Sequence, residues 1–304
     1  MLEIFDPAFA DSVARLSVPI LLAALGGAIC HRAGVFNIAL EGFILIGAFT
    51  AVVGSYYSQS TLVALISAAL GGVFLALIFA EFHLRRPGDP IVVSIAINLI
   101  SLGLTTYCLR SLFGVTGVFQ HENIIKIPSI NIPILNEIPF FGSFLSNQSL
   151  LFYFSISAVI FFHLFFIYHK FGNWMRAAGE NPMALLTTGV KPGRMKLLSL
   201  IICGILCGLA GAQLSIFNVS LFVENMSAGR GWIAVVVVLA TGGRALPLLL
   251  LVLLFGTIDS MSLRVQGLGL PQQFTEMMPY AASLLVLIIV SVRRTYLTKW
   301  NLSK

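Results

Sequence analysis

The stretch "WMRAAGENPMALLTTGVKPGRMK", Trp174 to Lys196, is a polar island between two segments that water would not hold. Before it runs "LLFYFSISAVIFFHLFFIY" (150–168) and after it "LLSLIICGILCGLAGAQLSIF" (197–217). Within the island, Asn181 is a good N-cap and Pro182 suits the first helical position. Met183 to Thr188 can then form about two turns, Gly189 can close them in a left-handed cap, and Pro192 prevents easy continuation. The spacing predicts a short capped helix flanked by basic Arg176, Lys191, Arg194 and Lys196. Such a helix either grips lipid headgroups or docks a soluble partner; apolar Met183, Leu185 and Leu186 are costly to leave bare, which favours docking.

The neighbours of the island extend over the whole chain. Of its 304 residues, 58% are hydrophobic and 10% charged, with a mean hydropathy of +0.96. A soluble domain carries about 25% charged residues, so this composition describes an integral membrane protein. Long continuous apolar runs without strand alternation require helices, which satisfy their own backbone in lipid. The expected fold is an all-α polytopic membrane protein forming a single transmembrane domain over 1–304. Candidate spans are 13–30, 35–54, 61–80, 91–113, 149–168, 197–217, 231–243, 246–263 and 276–292. The seventh is short and "GGRALP" separates it from the eighth, so 231–263 reads as two spans or as one span with a re-entrant half-helix; eight to ten spans are allowed.

Charge sets the orientation. With Arg85 and Lys191 on the cytoplasmic side, alternating spans put 13 of the 18 Lys and Arg inside, leaving Arg15, Arg110, Lys126, Arg230 and Arg264 outside or at the outer interface. The positive-inside rule selects this arrangement, with the N-terminus outside, the C-terminus cytoplasmic, and an odd span number for which nine fits. The same rule accounts for the net charge of +6 without invoking nucleic acid. The start, "MLEIFDPAFADSVARLSVP", lacks the basic region and cleavage pattern of a secretory signal. The 114–148 segment, Pro-rich with scattered Ile and Phe, suits a structured outer cap, and 169–196 lies in the cytoplasm. Cys30, Cys108, Cys203 and Cys207 lie in or beside apolar spans and read as small hydrophobes. Gly204, Gly208 and Ala212 recur at the spacing of close helix packing.

The sequence contains no phosphate loop, no H-E-x-x-H, no nucleophile elbow and no clustered histidines, so neither an ATP site nor a catalytic or metal centre is expected. Ionisable and amide groups inside lipid are functional candidates. Glu41 lies about 9 Å into the second span counted from Val35, with Asn37 one turn earlier on the same face. The pair either lines a solute path or makes a structural contact, with Arg32 or Arg244 as ion-pair partners. Asn98 and Gln213 are possible cavity-lining amides, and Asp259 and Gln266 flank the outer end of the eighth span. So sparse a set fits a neutral polar solute better than a charged one or an ion-driven carrier.

Three stretches together resemble the permeases of ABC importers that serve branched-chain amino acids, ribose-type sugars and nucleosides. "GENPMALLTTGVKPGRMK" (179–196) resembles their cytoplasmic coupling segment, and "RAGVFNIALEGFILIGAF" (32–49) their second-span signature. "SAGRGWIAVVVVLATGGRALP" (227–247) with "LLFGTIDSMSLRVQGLGLPQQFTEMMPYAASLLVLI" (253–288) resembles their C-terminal signature, and its last part leans toward nucleoside permeases served by a basic-membrane-protein-type lipoprotein. The chain departs from the pattern at His31, where an acid is usual, at Ala39, where Gly is usual, and near Ala245, where Trp is frequent. The resemblance implies that Gly179, Glu180, Asn181, Pro182, Ala184 and Gly189 form the coupling segment. It also implies a separate cytoplasmic ATPase carrying ATP–Mg, a second and different permease chain, and a periplasmic or lipid-anchored solute-binding protein. No cofactor is expected on this chain, and the location is the bacterial inner membrane. A self-sufficient ion-coupled transporter is the alternative of another class.

Overall fold

A computed structural model describes residues 6–131, 144–266 and 272–302, and within them the chain is almost entirely helical. In order, the helices are α1 (Pro7–Arg32), α2 (Leu40–Ser58), α3 (Thr61–Ala80), α4 (Pro90–Phe113), α5 (Leu150–Tyr168), α6 (Lys170–Glu180), α7 (Pro182–Thr187), α8 (Pro192–Ala212), α9 (Arg230–Thr241), α10 (Ala245–Gln266) and α11 (Gln272–Leu302). Short π-helical turns, Glu81–Arg85 and Gln213–Val219, extend α3 and α8. Seven helices among the described residues are long and apolar enough to cross a membrane: α1, α2, α3, α4, α5, α8 and α10; α9 and the apolar part of α11, Met277–Ile289, are shorter.

Local sequence sets several of the helix ends. Asp89 caps α4 by accepting from the amides of Ile91 (2.9 Å) and Val92 (3.1 Å), Pro90 takes the first helical position, and Gly114 ends the helix at φ +68°. Ser149 caps α5 through the amide of Phe152.

One expected span is corrected, and another takes one of the forms left open for it. The second begins at Leu40, not Val35. Gly34 turns the chain at φ +74°, and side chains then take up the backbone groups of the non-helical stretch. The Ile38 amide donates to Ser94 Oγ (3.1 Å), the Ala39 amide to Asn37 Oδ1 (2.8 Å) and the Gly42 amide to Asn98 Oδ1 (2.8 Å), while Asn98 Nδ2 donates to the Ile38 carbonyl (3.2 Å). Irregular backbone persists at membrane depth only with such internal partners. The seventh, 231–243, is a 12-residue helix about 18 Å long, too short to cross alone.

The bundle has two distinguishable ends. At the start of α1, Gln148 Nε2 donates to Asp11 (2.8 Å), and two small antiparallel pairs lie on that side: β1 (Val118–Phe119) with β4 (Phe222–Val223), and β2 (Ser129–Ile130) with β3 (Gln148–Ser149). The described parts of 114–148 pack against this end through these pairs, with Phe119 stacked on Phe113 at 3.9 Å; residues 132–143 lie outside the described residues. At the other end of α1, about 39 Å away, Gly34 meets Gly179 and Arg32 donates to the Gly243 carbonyl (3.2 Å). The stretch from β4 through α9 to Gly243 therefore runs the length of the bundle with only its last part helical.

The centre is α8, packed by α1, α2 and α3 through backbone-to-backbone approach. A Cβ on Gly204 would strike the backbone of Gly72, and one on Gly208 would strike Ala68. Gly47 sits against Gly208, and Gly211 against Ile44. Close approach through small residues supplies the dispersion contact that holds helices together in lipid. Gly204→Val is therefore expected to force α3 and α8 apart, at a cost of about 1–3 kcal/mol or more. It should lower the thermal midpoint of the purified protein, whereas Gly103→Val, whose Cβ meets nothing within 4 Å, should leave it in place.

Candidate functional site

Glu41 lies in the first turn of α2, and its carboxylate caps a second helix. Oε1 accepts from the Gly229 amide at 2.7 Å and Oε2 from the Gly231 amide at 2.6 Å. These are orphan donors at the start of α9, where the helix dipole also favours negative charge. Neither Arg32 nor Arg244, the expected ion-pair partners, reaches it; both lie at the far end of α9. Glycine is required on both sides of the clamp. Gly229 adopts φ +80°, and a Cβ on Gly231 would collide with the Glu41 backbone. Because α9 ends at Gly242 beside the α1 terminus, the carboxylate sits about 18 Å into the bundle from that end.

Beside this clamp opens a cavity of about 540 Å³, lined by Glu41, Asn225, Arg230, Trp232, Asp259 and Tyr280 among others. That volume is typical of a small-molecule site. Arg230 is the charged neighbour of Asp259, and its Nη1 donates to the Ser227 carbonyl at 3.4 Å. Tyr280 of α11 donates to the Ala228 carbonyl (3.1 Å) and forms part of the same wall. The wall thus combines two carboxylates, one guanidinium, an amide and two half-exposed aromatic rings. Such a set offers ring faces for stacking and both donors and acceptors for hydroxyls.

Of the five path candidates, Glu41 and Asp259 meet at this cavity, and Asn37, Asn98 and Gln213 do not line it. Asn37 precedes α2 and so is not one helical turn from Glu41; it is buried, bonding the Ala39 amide and Cys203 Sγ (3.6 Å). Asn98 stitches α4 to the irregular stretch. Gln213 is fully buried and accepts from Ser149 Oγ at 2.8 Å, joining α8 to the start of α5. Sequence reasoning does not point to Arg230, Trp232 or Asn225 as site residues, and Tyr280 enters it only within the C-terminal stretch of the family resemblance. The charge count puts Arg230 outside or at the outer interface, and beyond the glycines flanking it in "GRGW" nothing local in the sequence signals that the helix after it starts at depth.

The polar island folds as three helices: α6, α7 and the first turns of α8. Asn181 Oδ1 accepts from the Ala184 amide at 3.1 Å, Pro182 is the first residue of α7, and Gly189 follows at φ +81° in open space. Leu185 is buried and anchors α7, while Met183 is 72% exposed and Leu186 47%. Ala184 is exposed, and Glu180, also exposed, pairs with Arg176 (3.4 Å). Gly179 is where the island touches the bundle. A Cβ there would meet the Arg32 carbonyl at 2.5 Å and the Gly34 amide at 2.7 Å.

Comparison with known proteins places this arrangement. The sequence profile described as "Branched-chain amino acid transport system / permease component" matches residues 9–290. The chain belongs to this permease family. It is 31% identical over 288 residues to the guanosine ABC transporter permease protein NupQ of Bacillus subtilis, covering 89% of this chain and 88% of that one. The nucleoside ABC transporter permease protein NupC of Lactococcus lactis is 27% identical, with 90% and 89% covered. A protein of Haloferax volcanii named "Putative glucose ABC transporter permease protein TsgC13" is 31% identical, with 88% and 80% covered. An ABC transporter solved in an inward-facing conformation shares the fold, with a TM-score of 0.51 at 15% identity over 91% of this chain and 84% of that one. The chain is thus a multi-pass ABC permease subunit, a transport component and not an enzyme.

The clamp predicts a specific loss. Glu41→Ala leaves the half-buried Gly229 amide and the buried Gly231 amide without this acceptor and should cost about 1–3 kcal/mol, and Gly231→Ala should reproduce it by displacing the carboxylate. Thermal unfolding of the purified chain checks both. Glu41→Gln, which retains one acceptor, is expected to lie between them and the wild type.

Proposed function

We propose that this chain forms the membrane path of an ATP-driven importer for nucleosides in the bacterial cytoplasmic membrane. The observation that carries the solute class is the cavity at the Glu41 clamp. Trp232 and Tyr280 provide faces on which a base can stack, and Asp259, Arg230 and Asn225 provide partners for ribose hydroxyls. Relatives named for guanosine and nucleosides support the same class. The second reading is a simple sugar, favoured by the relative named for glucose.

In this reading 1–304 is one transmembrane domain with nine crossings. Seven are made by α1, α2, α3, α4, α5, α8 and α10, one by the part-helical stretch from β4 through α9, and one by α11. The N-terminus is outside and the C-terminus cytoplasmic. Gly179, Glu180, Asn181, Pro182, Ala184 and Gly189 form the coupling segment, and the exposed Met183 and Leu186 of α7 enter a groove on a cytoplasmic ATPase that carries ATP–Mg. A second permease chain, different from this one, completes the path. The relatives named NupP and NupQ, both guanosine permease proteins of one organism, support a pair of unlike chains. A solute-binding protein delivers at the capped outer end. ATPase closure pushes on α7, and the movement passes through Gly179 to α1 and directly into α8.

Uptake into vesicles tests this reading. Labelled guanosine should enter only when this chain, its partner permease, the ATPase, the binding protein and ATP are all present. Unlabelled nucleosides should compete and glucose should not. Competition by glucose alone would assign a sugar, and gradient-driven uptake by this chain alone would overturn the importer reading. Trp232→Ala and Asp259→Asn are each expected to reduce uptake about tenfold, with the amount of assembled transporter unchanged. Glu180→Lys and Ala184→Asp should weaken ATPase co-purification without lowering the thermal midpoint of the permease itself.

A further inference from the structure

A second cavity, of about 240 Å³, lies at the end of the bundle that carries the polar island. Its rim holds three arginines from three separate parts of the chain: Arg32 at the end of α1, Arg176 on α6, and Arg244 in the turn between α9 and α10. They are close enough for Arg32 to feel the charge of both others. Among the described residues the only carboxylate in the group is Glu180, which pairs with Arg176 and acts on Arg32 from beyond ion-pair distance, so one carboxylate faces three guanidinium groups. The remaining titratable group on the rim is His163. Arg32 is fixed in place: its Nε donates to the Gly243 carbonyl at 3.2 Å, and its guanidinium lies 5.5 Å from the Phe166 ring centroid. Holding cations together in this way costs energy unless an anion joins them.

The other half of the lining is apolar. Ile167 and Leu246 are 49% and 46% exposed, and the apolar exposure continues along α10 through Leu250 and Leu254. A site with cations at the membrane end and bare aliphatic side chains leading away from it has the two-part character of a phospholipid. A guanidinium pairs with phosphate oxygens through parallel hydrogen bonds, and basic pockets between transmembrane helices accept anionic headgroups.

We propose that the Arg32–Arg176–Arg244 pocket binds the phosphodiester headgroup of an anionic phospholipid, with the acyl chains lying along the exposed face of α10. The phosphate bridges the end of α1, helix α6 of the island and the α9–α10 turn. The lipid therefore ties the island to the helix that the Glu41 clamp holds, and its loss loosens that tie without touching the solute cavity.

The test uses the purified transporter, with and without its ATPase, read by native mass spectrometry. Phosphatidylglycerol and phosphatidylcholine are offered in competition, with inorganic phosphate as a third arm. Phosphatidylglycerol should be retained in preference, and Arg176→Gln with Arg244→Gln should reduce its retention roughly tenfold relative to phosphatidylcholine. Lys191→Gln, which removes one charge outside the pocket, should leave retention unchanged. If the double variant does not assemble, the preference of the wild type between the two lipids decides alone. Equal retention of both lipids overturns the proposal. Displacement by millimolar phosphate would make the pocket a free-anion site, and loss of the lipid whenever the ATPase is bound would make it an ATPase contact; either result also overturns it.

Discussion

The structure depends on a carboxylate that lipid could not hold unaided. Glu41 stands about half-way along the bundle, where an unpaired charge is costly enough to be selected against. It is held there by two amide donors and the positive end of a helix, at 2.7 and 2.6 Å. The benefit is mutual, because α9 begins inside the bundle and its first amides would otherwise be orphaned. A short helix can therefore start at depth, preceded by irregular chain, and the space beside that irregular chain is the 540 Å³ cavity. The clamp, the half-helix and the cavity are three consequences of one satisfied charge.

A second constraint connects this cavity to the far end. Glycine against glycine at Gly34–Gly179 leaves no side chain between the island and the α1 terminus. The last turns of the island are already the start of α8, joined to α7 by the short turn 188–191, and α8 is gripped through glycines by α1, α2 and α3. Interfaces packed at backbone distance shift as blocks and do not deform by degrees, so a force on α7 has a rigid route toward the Glu41 end of the bundle. Irregular backbone at 33–39 is tolerated because Asn37, Ser94 and Asn98 occupy its hydrogen-bonding groups. These residues hold the shape of the path from behind its wall.

Legibility in the sequence followed the strength of the local signal. The N-cap, proline and glycine of the island each act within four residues, and Asn181, Pro182 and Gly189 stand where local rules put them. Long apolar runs gave most of the spans for the same reason. Sequence and structure part where the fold answers to distant partners. Val35 to Ala39 is apolar enough to pass for helix, and only Ser94 and Asn98, more than fifty residues away, explain why it is not. Asn98 and Gln213 read as cavity amides because burial depth is visible in a sequence and direction is not; here they bond Gly42, Ile38 and Ser149. A 12-residue half-helix has the composition of a span with its end missing, which is why 231–263 reads equally as two spans or as one span with a re-entrant segment. Glu41 was found because a lone acid in an apolar run is conspicuous, but its partners are backbone amides, which no sequence pattern marks.

The most direct test of the clamp is amide hydrogen exchange over residues 225–233 in the wild type and in Glu41→Ala. If the carboxylate holds the start of α9, the Gly229 and Gly231 amides exchange slowly in the wild type and roughly a hundredfold faster in the variant, while the centre of α1 is unchanged. Equal exchange in the two proteins would mean that α9 is held at depth by packing alone, and the dependence of the half-helix and the cavity on Glu41 would be contradicted.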